Sequence, residues 1–191
     1  MLFRSIAPLE QQNPTFDVAF CGNLGYAPNI VAARFLSLEV APEFERQTGR
    51  PLRALICGAQ PTQAVKSLST RHIHVLGDVS DIRSAYISAP IFIAPMLVNT
   101  GLQNKLLEAM SLQRACLTTP RALAALGCEV GNAVAIAEDA TSFAREIQRL
   151  LEDEPGRLNM GTSAAQIARD HFSWKQACAT LVALLNSLAN R

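Results

Sequence analysis

The chain has 191 residues, 49% of them hydrophobic and 17% charged, and its 17 basic and 16 acidic side chains leave a net charge of +1. That length suits one sizeable core in a soluble α/β protein. The even charge excludes a general field that would recruit nucleic acid or an anionic membrane. No stretch approaches the roughly 20 apolar residues of a membrane span, and the apolar part of MLFRSIAPLEQQNP is too short for a signal peptide. The five cysteines have no CxxC spacing and mostly sit in apolar runs, so we expect reduced core thiols, no disulfide framework and a cytoplasmic protein.

In chain order, residues 1–14 are aperiodic and contain Pro and Gln, as in a linker, and the fold is expected to begin at Thr15. TFDVAFCG reads as a buried strand, GNLGYAPN as a turn, and Pro28 to Gln47 as a helix with a broad apolar face. A second unit follows, with the strand LRALICG ending in Gly58 and a short helix beginning after Pro61. The strand HIHVLG then leads through Gly77 and Asp78 to a helix with Ser80 and Asp81 as candidate caps.

IFIAP has the β-branched and aromatic content of a central parallel strand, and the helix opened by Gly101 comes after it. RACLTTP is a further strand before the helix PRALAALG, and NAVAIAED a last strand before SFAREIQRLLED. Asp153 to Gly156 break the pattern, LNMGTSAAQIARDHF resumes it, and Ser173 reads as the cap of a final helix anchored by Trp174. Strand and helix alternate about six times, which predicts a Rossmann-like doubly wound parallel sheet of about six strands. The domain is expected over 15–172, with a C-terminal helix over 173–191.

Ligands of such sheets sit beyond the carboxyl ends of the strands. There is no GxGxxG after the first strand and no GxxxxGK[ST], so a phosphate contact must come from elsewhere. The best candidate is GLQNKLLEAM, Gly101 to Met110. Gly101 permits close approach, and the N–H groups of Leu102, Gln103 and Asn104 would point above the strand. Lys105 adds a positive charge, and Glu108 on the same face can accept from hydroxyls. The alternative is an ordinary solvated pair at i,i+3 on a helix whose core face is Leu106, Leu107 and Met110.

The succession FCGNLGYAPN, ALICGAQP, HVLGDVSDIRSAYISAPIFIAP, GLQNKLLEAMSLQRACLTTP, AVAIAEDATSFAREIQRLLED and HFSWKQAC resembles the C-terminal, donor-binding half of GT-B glycosyltransferases. It is most similar to the family-4 retaining group, particularly bacterial sugar transferases of exopolysaccharide synthesis, and the similarity runs from about Thr15 to Leu188. The resemblance implies a nucleoside-diphosphate sugar as ligand. Gly101, Leu102, Gln103 and Asn104 would offer backbone N–H groups to the diphosphate, with Lys105 near its charge and Glu108 on the ribose hydroxyls. Val79 would contact the base, while Gly22, Asn23, Tyr26 and Gly58 belong to the same rim.

Two departures from the family pattern stand out. Its paired glutamates lie eight positions apart, and the first would fall at Thr100, which has no carboxylate. The Arg and Lys usual in the first glycine loop are missing, with YAPN in the lysine's place.

The resemblance also implies a missing N-terminal acceptor domain or partner subunit, so the chain is expected to bind nucleotide without turnover. Through that half the enzyme would reach the inner membrane face. No residue is assigned a catalytic role and no metal or other cofactor is expected, since there is no DxD motif and Lys105 with the helix N-terminus would take a cation's part. His72 and His74 alternate on one face without a third ligand, and read as packing or rim residues rather than a metal site. Two other classes stay open. One is a non-catalytic nucleotide-sugar-binding or regulatory module, favoured by Thr100. The other is a nucleotide-sugar epimerase, which lacks acid and base residues on this rim.

Overall fold

The structure is a computed structural model that describes residues 15–98 and 101–173, together with 176, 178, 182, 185, 186 and 188. The linker expected over 1–14, the position of Thr100 and the anchoring by Trp174 lie outside the described residues. Six parallel strands form one sheet in the order β3-β2-β1-β4-β5-β6. They are β1 Val18–Cys21, β2 Ala54–Cys57, β3 Ile73–Leu76, β4 Ile91–Ala94, β5 Ala115–Thr118 and β6 Val134–Ile136. The helices between them are α1 Ala27–Phe35, α2 Ala41–Thr48, α3 Gln63–Lys66, α4 Ile82–Ile87, α5 Asn104–Ser111 and α6 Pro120–Ala124, and α7 Ala140–Glu152 and α8 Glu154–Phe172 follow β6. This is the doubly wound α/β sheet expected from the alternation.

β1, β2, β4 and β5 are buried at every residue, which is why they read as continuous apolar runs rather than alternating ones. Edge strand β3 is mixed, with Ile73 inside and His74 exposed against Phe16, ring centroids 5.2 Å apart. That contact gives His74 a packing role. Among the described residues no three His, Cys, Asp or Glu side chains are grouped to hold a metal, and no helix is long and apolar enough to cross a membrane. Cys21, Cys57 and Cys116 are free and buried in their strands.

The single helix expected from Pro28 to Gln47 is interrupted. A π-helical turn, Leu36–Val40, joins α1 to α2, and the N–H of Ala41 reaches back to Leu36. Pro42 is the physical reason: it has no N–H to give and its ring would crowd the preceding turn, so the ladder widens by one residue just ahead of it. Gly49, at φ 74°, closes α2 in the left-handed conformation.

The break expected over Asp153 to Gly156 is shorter than the sequence suggests. Asp153 alone separates α7 from α8, and its carboxylate accepts from the Gly156 N–H at 2.9 Å, while Pro155 occupies the first turn of α8. Asp81 caps α4, and Ser173 accepts from the Gln176 N–H at the start of the final segment, whose described residues from 176 to 188 are helical.

Sheet order fixes where a ligand can sit. The chain runs from β1 outward to β2 and β3, then returns to place β4 on the other side of β1. Loops after β1 and β4 therefore diverge and open a crevice at the carboxyl ends of these two strands.

Candidate functional site

The crevice is a cavity of about 510 Å³ lined by Cys21, Gly22, Asn23, Tyr26, Asn29, Gly58, Ala59, Asp78, Val79, Ile82, Tyr86, Leu102, Gln103, Asn104, Lys105 and Glu108. Ten of the eleven residues singled out in the sequence meet here. Gly101 lies just ahead of the lining, at φ 115° in open space, and shapes the approach of α5.

The floor is backbone. The Gly22 N–H donates to the Cys57 carbonyl at 3.0 Å and the Gly58 N–H to Leu76 at 3.2 Å, so strand pairing persists into the rim. A Cβ on Gly58, whose φ is 148°, would overlap the Gly22 carbonyl oxygen. Only glycine permits this approach. The loop after Gly22 is pinned three ways: the Leu24 N–H donates to the Ala59 carbonyl at 2.7 Å, the Gly25 N–H to Asn23 Oδ1 at 2.8 Å, and Asn29 Nδ2 to the Asn23 carbonyl at 2.9 Å.

The opposite wall is the first turn of α5, which begins at Asn104 with Gln103 as its cap residue. The helix's apolar residues Leu106, Leu107, Ala109 and Met110 are buried, and this turns Lys105 and Glu108 toward the cavity. The N–H groups of a first helical turn carry partial positive charge and have no partner within the helix. Lys105 Nζ stands beside them, donating at 2.8 Å to both Asn29 Oδ1 and Gln103 Oε1, with its charge 5.8 Å from the centroid of Phe20. Burial lowers the lysine to about 8, against the opposing pull of Glu108. It is thus mostly charged at neutral pH. Gln103, itself buried, also donates to the Gly101 carbonyl at 3.0 Å and so fixes the turn into the helix.

In the same lining the Tyr86 hydroxyl donates to Glu108 Oε2 at 2.5 Å. Tyr86 is buried in α4, and desolvation pushes its phenol far up, so it stays a donor at every accessible pH. Asn29 and Tyr86 were not singled out in the sequence. Asn29 lay within the YAPN tetrapeptide, whereas Tyr86 gave no local signal because its partner is 22 residues away in sequence.

The cavity is chemically asymmetric. Lys105 and the first-turn N–H groups supply positive charge, Glu108 supplies a carboxylate, and Gly58, Ala59, Asp78 and Val79 complete the lining. Such a site can hold an anionic group against the cation and hydroxyls against the carboxylate.

A larger concavity, about 890 Å³, lies beside β6 and α8. Its charged residues Glu146 and Arg149 are paired with each other at 2.9 Å, and it lies at the β6 edge of the sheet, away from the point where the strand order reverses between β1 and β4. We therefore place the chemistry at the smaller one.

The family model for glycosyl transferases group 1 matches residues 15–153. No curated protein matches the chain. Among solved structures, HepE from Anabaena in complex with UDP and glucose is 15% identical, with a TM-score of 0.70, over 89% of this chain and 48% of its own. Sucrose-phosphate synthase from Thermosynechococcus elongatus is 14% identical, with a TM-score of 0.75, over 97% of this chain and 50% of its own. TarM from S. aureus is 12% identical, with a TM-score of 0.76, over 97% of this chain and 38% of its own. The chain thus spans half or less of the length of these proteins, and at such identities the likeness establishes the fold.

Proposed function

Because this chain belongs to the glycosyl transferases group 1 family, we propose that it is the donor-binding half of a retaining glycosyltransferase and that its cavity takes a nucleoside-diphosphate sugar. The observation that carries this reading is the meeting of Lys105, the first turn of α5 and Glu108 around one crevice above β1 and β4. The diphosphate lies against the α5 N-terminus and Lys105, the ribose hydroxyls reach Glu108, and the base packs along Gly58 and Val79. UDP and glucose in the HepE complex are ligands of the same chemical class.

In transfer the bond from the sugar to the diphosphate breaks, and negative charge grows on the departing phosphate. Lys105 and the helix N–H groups stabilise that charge without requiring a metal ion. The acceptor is bound by a second domain or subunit facing this rim, and a polysaccharide or lipid-linked acceptor at the inner membrane face suits the bacterial exopolysaccharide role. Alone, the chain binds the donor and does not transfer.

Calorimetry with UDP, ADP and GDP tests the binding, and labelled-sugar transfer after addition of an N-terminal acceptor domain tests the enzyme. Transfer by the unaccompanied chain would refute the division of labour. The second reading, a non-catalytic nucleotide-sugar module, is favoured by the missing carboxylate at Thr100. It is supported if binding occurs but no acceptor domain elicits transfer.

A further inference from the structure

Lys105 and Glu108 stand three residues apart on α5, a spacing at which opposite charges on a helix ordinarily pair. Here each is bound elsewhere. Lys105 is held by Asn29 and Gln103, and the Glu108 carboxylate by the Tyr86 hydroxyl. Tyr86 itself has little freedom, since it is 2% exposed and its ring lies 5.0 Å from that of Phe92 in β4. A rigid donor from α4 therefore sets where the carboxylate of α5 points.

We infer that Tyr86 is a positioning residue which holds Glu108 away from Lys105 and presents its carboxylate to the ribose hydroxyls of a bound nucleotide. The inference rests on the nucleotide-sugar reading of this cavity. If Glu108 were released its carboxylate would no longer be fixed facing the ribose, and the site would lose its acceptor for the hydroxyls while Lys105 stayed held by Asn29 and Gln103. A merely structural hydrogen bond, by contrast, would matter for stability alone, because a buried phenol needs some acceptor.

The test compares the nucleoside diphosphate that binds best among UDP, ADP and GDP with its 2′,3′-dideoxy analogue, by calorimetry on the full chain. A charge-assisted hydrogen bond to the ribose corresponds to at least about a tenfold preference for the natural sugar. In Tyr86→Phe that preference is expected to fall to about threefold or less, while affinity for the dideoxy analogue changes less than about twofold. A preference retained in a folded Tyr86→Phe overturns the proposal, as does a wild-type chain that binds both ligands alike. Failure of the wild-type chain to bind any of the three nucleotides instead removes the donor-site reading, and this inference with it. If Tyr86→Phe does not fold, Glu108→Asp keeps the charge but draws the carboxylate back from the phenol. The same loss of preference is expected there, and its retention counts against the proposal.

Discussion

The ammonium of Lys105 donates to Oδ1 of Asn29 at 2.8 Å, a bond that ties the first turn of α5 to the start of α1 across 76 residues of sequence. The same Asn29 uses its amide nitrogen to hold the carbonyl of Asn23, so one buried side chain sets both the glycine loop and the cation. Gly22 lets them converge, since a Cβ there would come within 2.9 Å of Asn29 Nδ2 and 3.2 Å of Lys105 Cε.

Lys105→Ala is therefore expected to weaken nucleoside diphosphate binding by more than about tenfold, the loss of roughly one charged hydrogen bond to phosphate. The thermal midpoint should not fall in parallel, because the substitution also removes the cost of a partly buried charge. Calorimetry at low salt alongside a melting curve checks both. An unchanged affinity would falsify the assignment of Lys105 to the diphosphate.

The pH dependence of binding follows from the same residue. Lys105 is lowered to about 8, chiefly by burial, so it loses its proton between pH 7 and 9. If only the charged form holds the diphosphate, affinity drops roughly tenfold across that interval. Folding stability moves the other way: above about 8 the folded state carries fewer protons than the unfolded chain, whose lysine titrates near 10.5, so this group's contribution rises with pH up to that value. A bound diphosphate restores the proton, and calorimetry near pH 8.5 in two buffers of different ionisation enthalpy should record proton uptake. Binding with no proton exchange at that pH argues against contact between Lys105 and phosphate.

Gly58→Ala tests the floor. The residue sits at φ 148° with its missing Cβ directed at the Gly22 carbonyl, so both the backbone conformation and the contact oppose a side chain. A loss of at least about 2 kcal/mol is expected, read as a lower urea midpoint at unchanged slope. Gly101→Ala provides the contrast. Its φ of 115° is equally unsuited to a side chain, but nothing lies within 4 Å, so its cost is conformational only and the destabilisation should be smaller.

Much of this arrangement was legible in the sequence because it is local. Buried strands announce themselves as apolar runs, the glycines directly after β1, β2 and β3 mark the rim, and the α5 turn reads from its own stretch, whereas Asn23, Tyr26 and Val79 were placed by the family resemblance. Asn29 and Tyr86 were not legible because their roles depend on partners brought together by strand crossovers. No spacing rule connects residue 29 to 105, or 86 to 108. The π-helical turn was hidden for a different reason: the periodicity of apolar residues through 36–40 barely changes when one residue is inserted, and Pro42 was its only mark.

Asp17, just ahead of β1, anchors the opposite end of the sheet. It is 3% exposed and accepts from Arg50 Nη1 at 2.8 Å, Arg53 Nη2 at 2.8 Å and the Arg53 backbone N–H at 3.0 Å. Burial would raise its pKa, but Arg53 and Arg50 together outweigh that and hold it below 3.8. A carboxylate depressed in this way adds stability that is fully present above its unfolded value and disappears as pH falls through the lower folded value. Asp17→Ala is expected to cost about 2 to 3 kcal/mol at pH 7, because it strands a part-buried N–H and two guanidinium groups that are only half solvated. Asp17→Asn preserves the shape and removes the charge, so the difference in stability between it and the wild type should shrink as pH falls below 3.8. Urea titrations of both proteins at pH 7, 4 and 2.5 check this, and a difference that stays constant over that range would mean the arginines do not hold the ionised form.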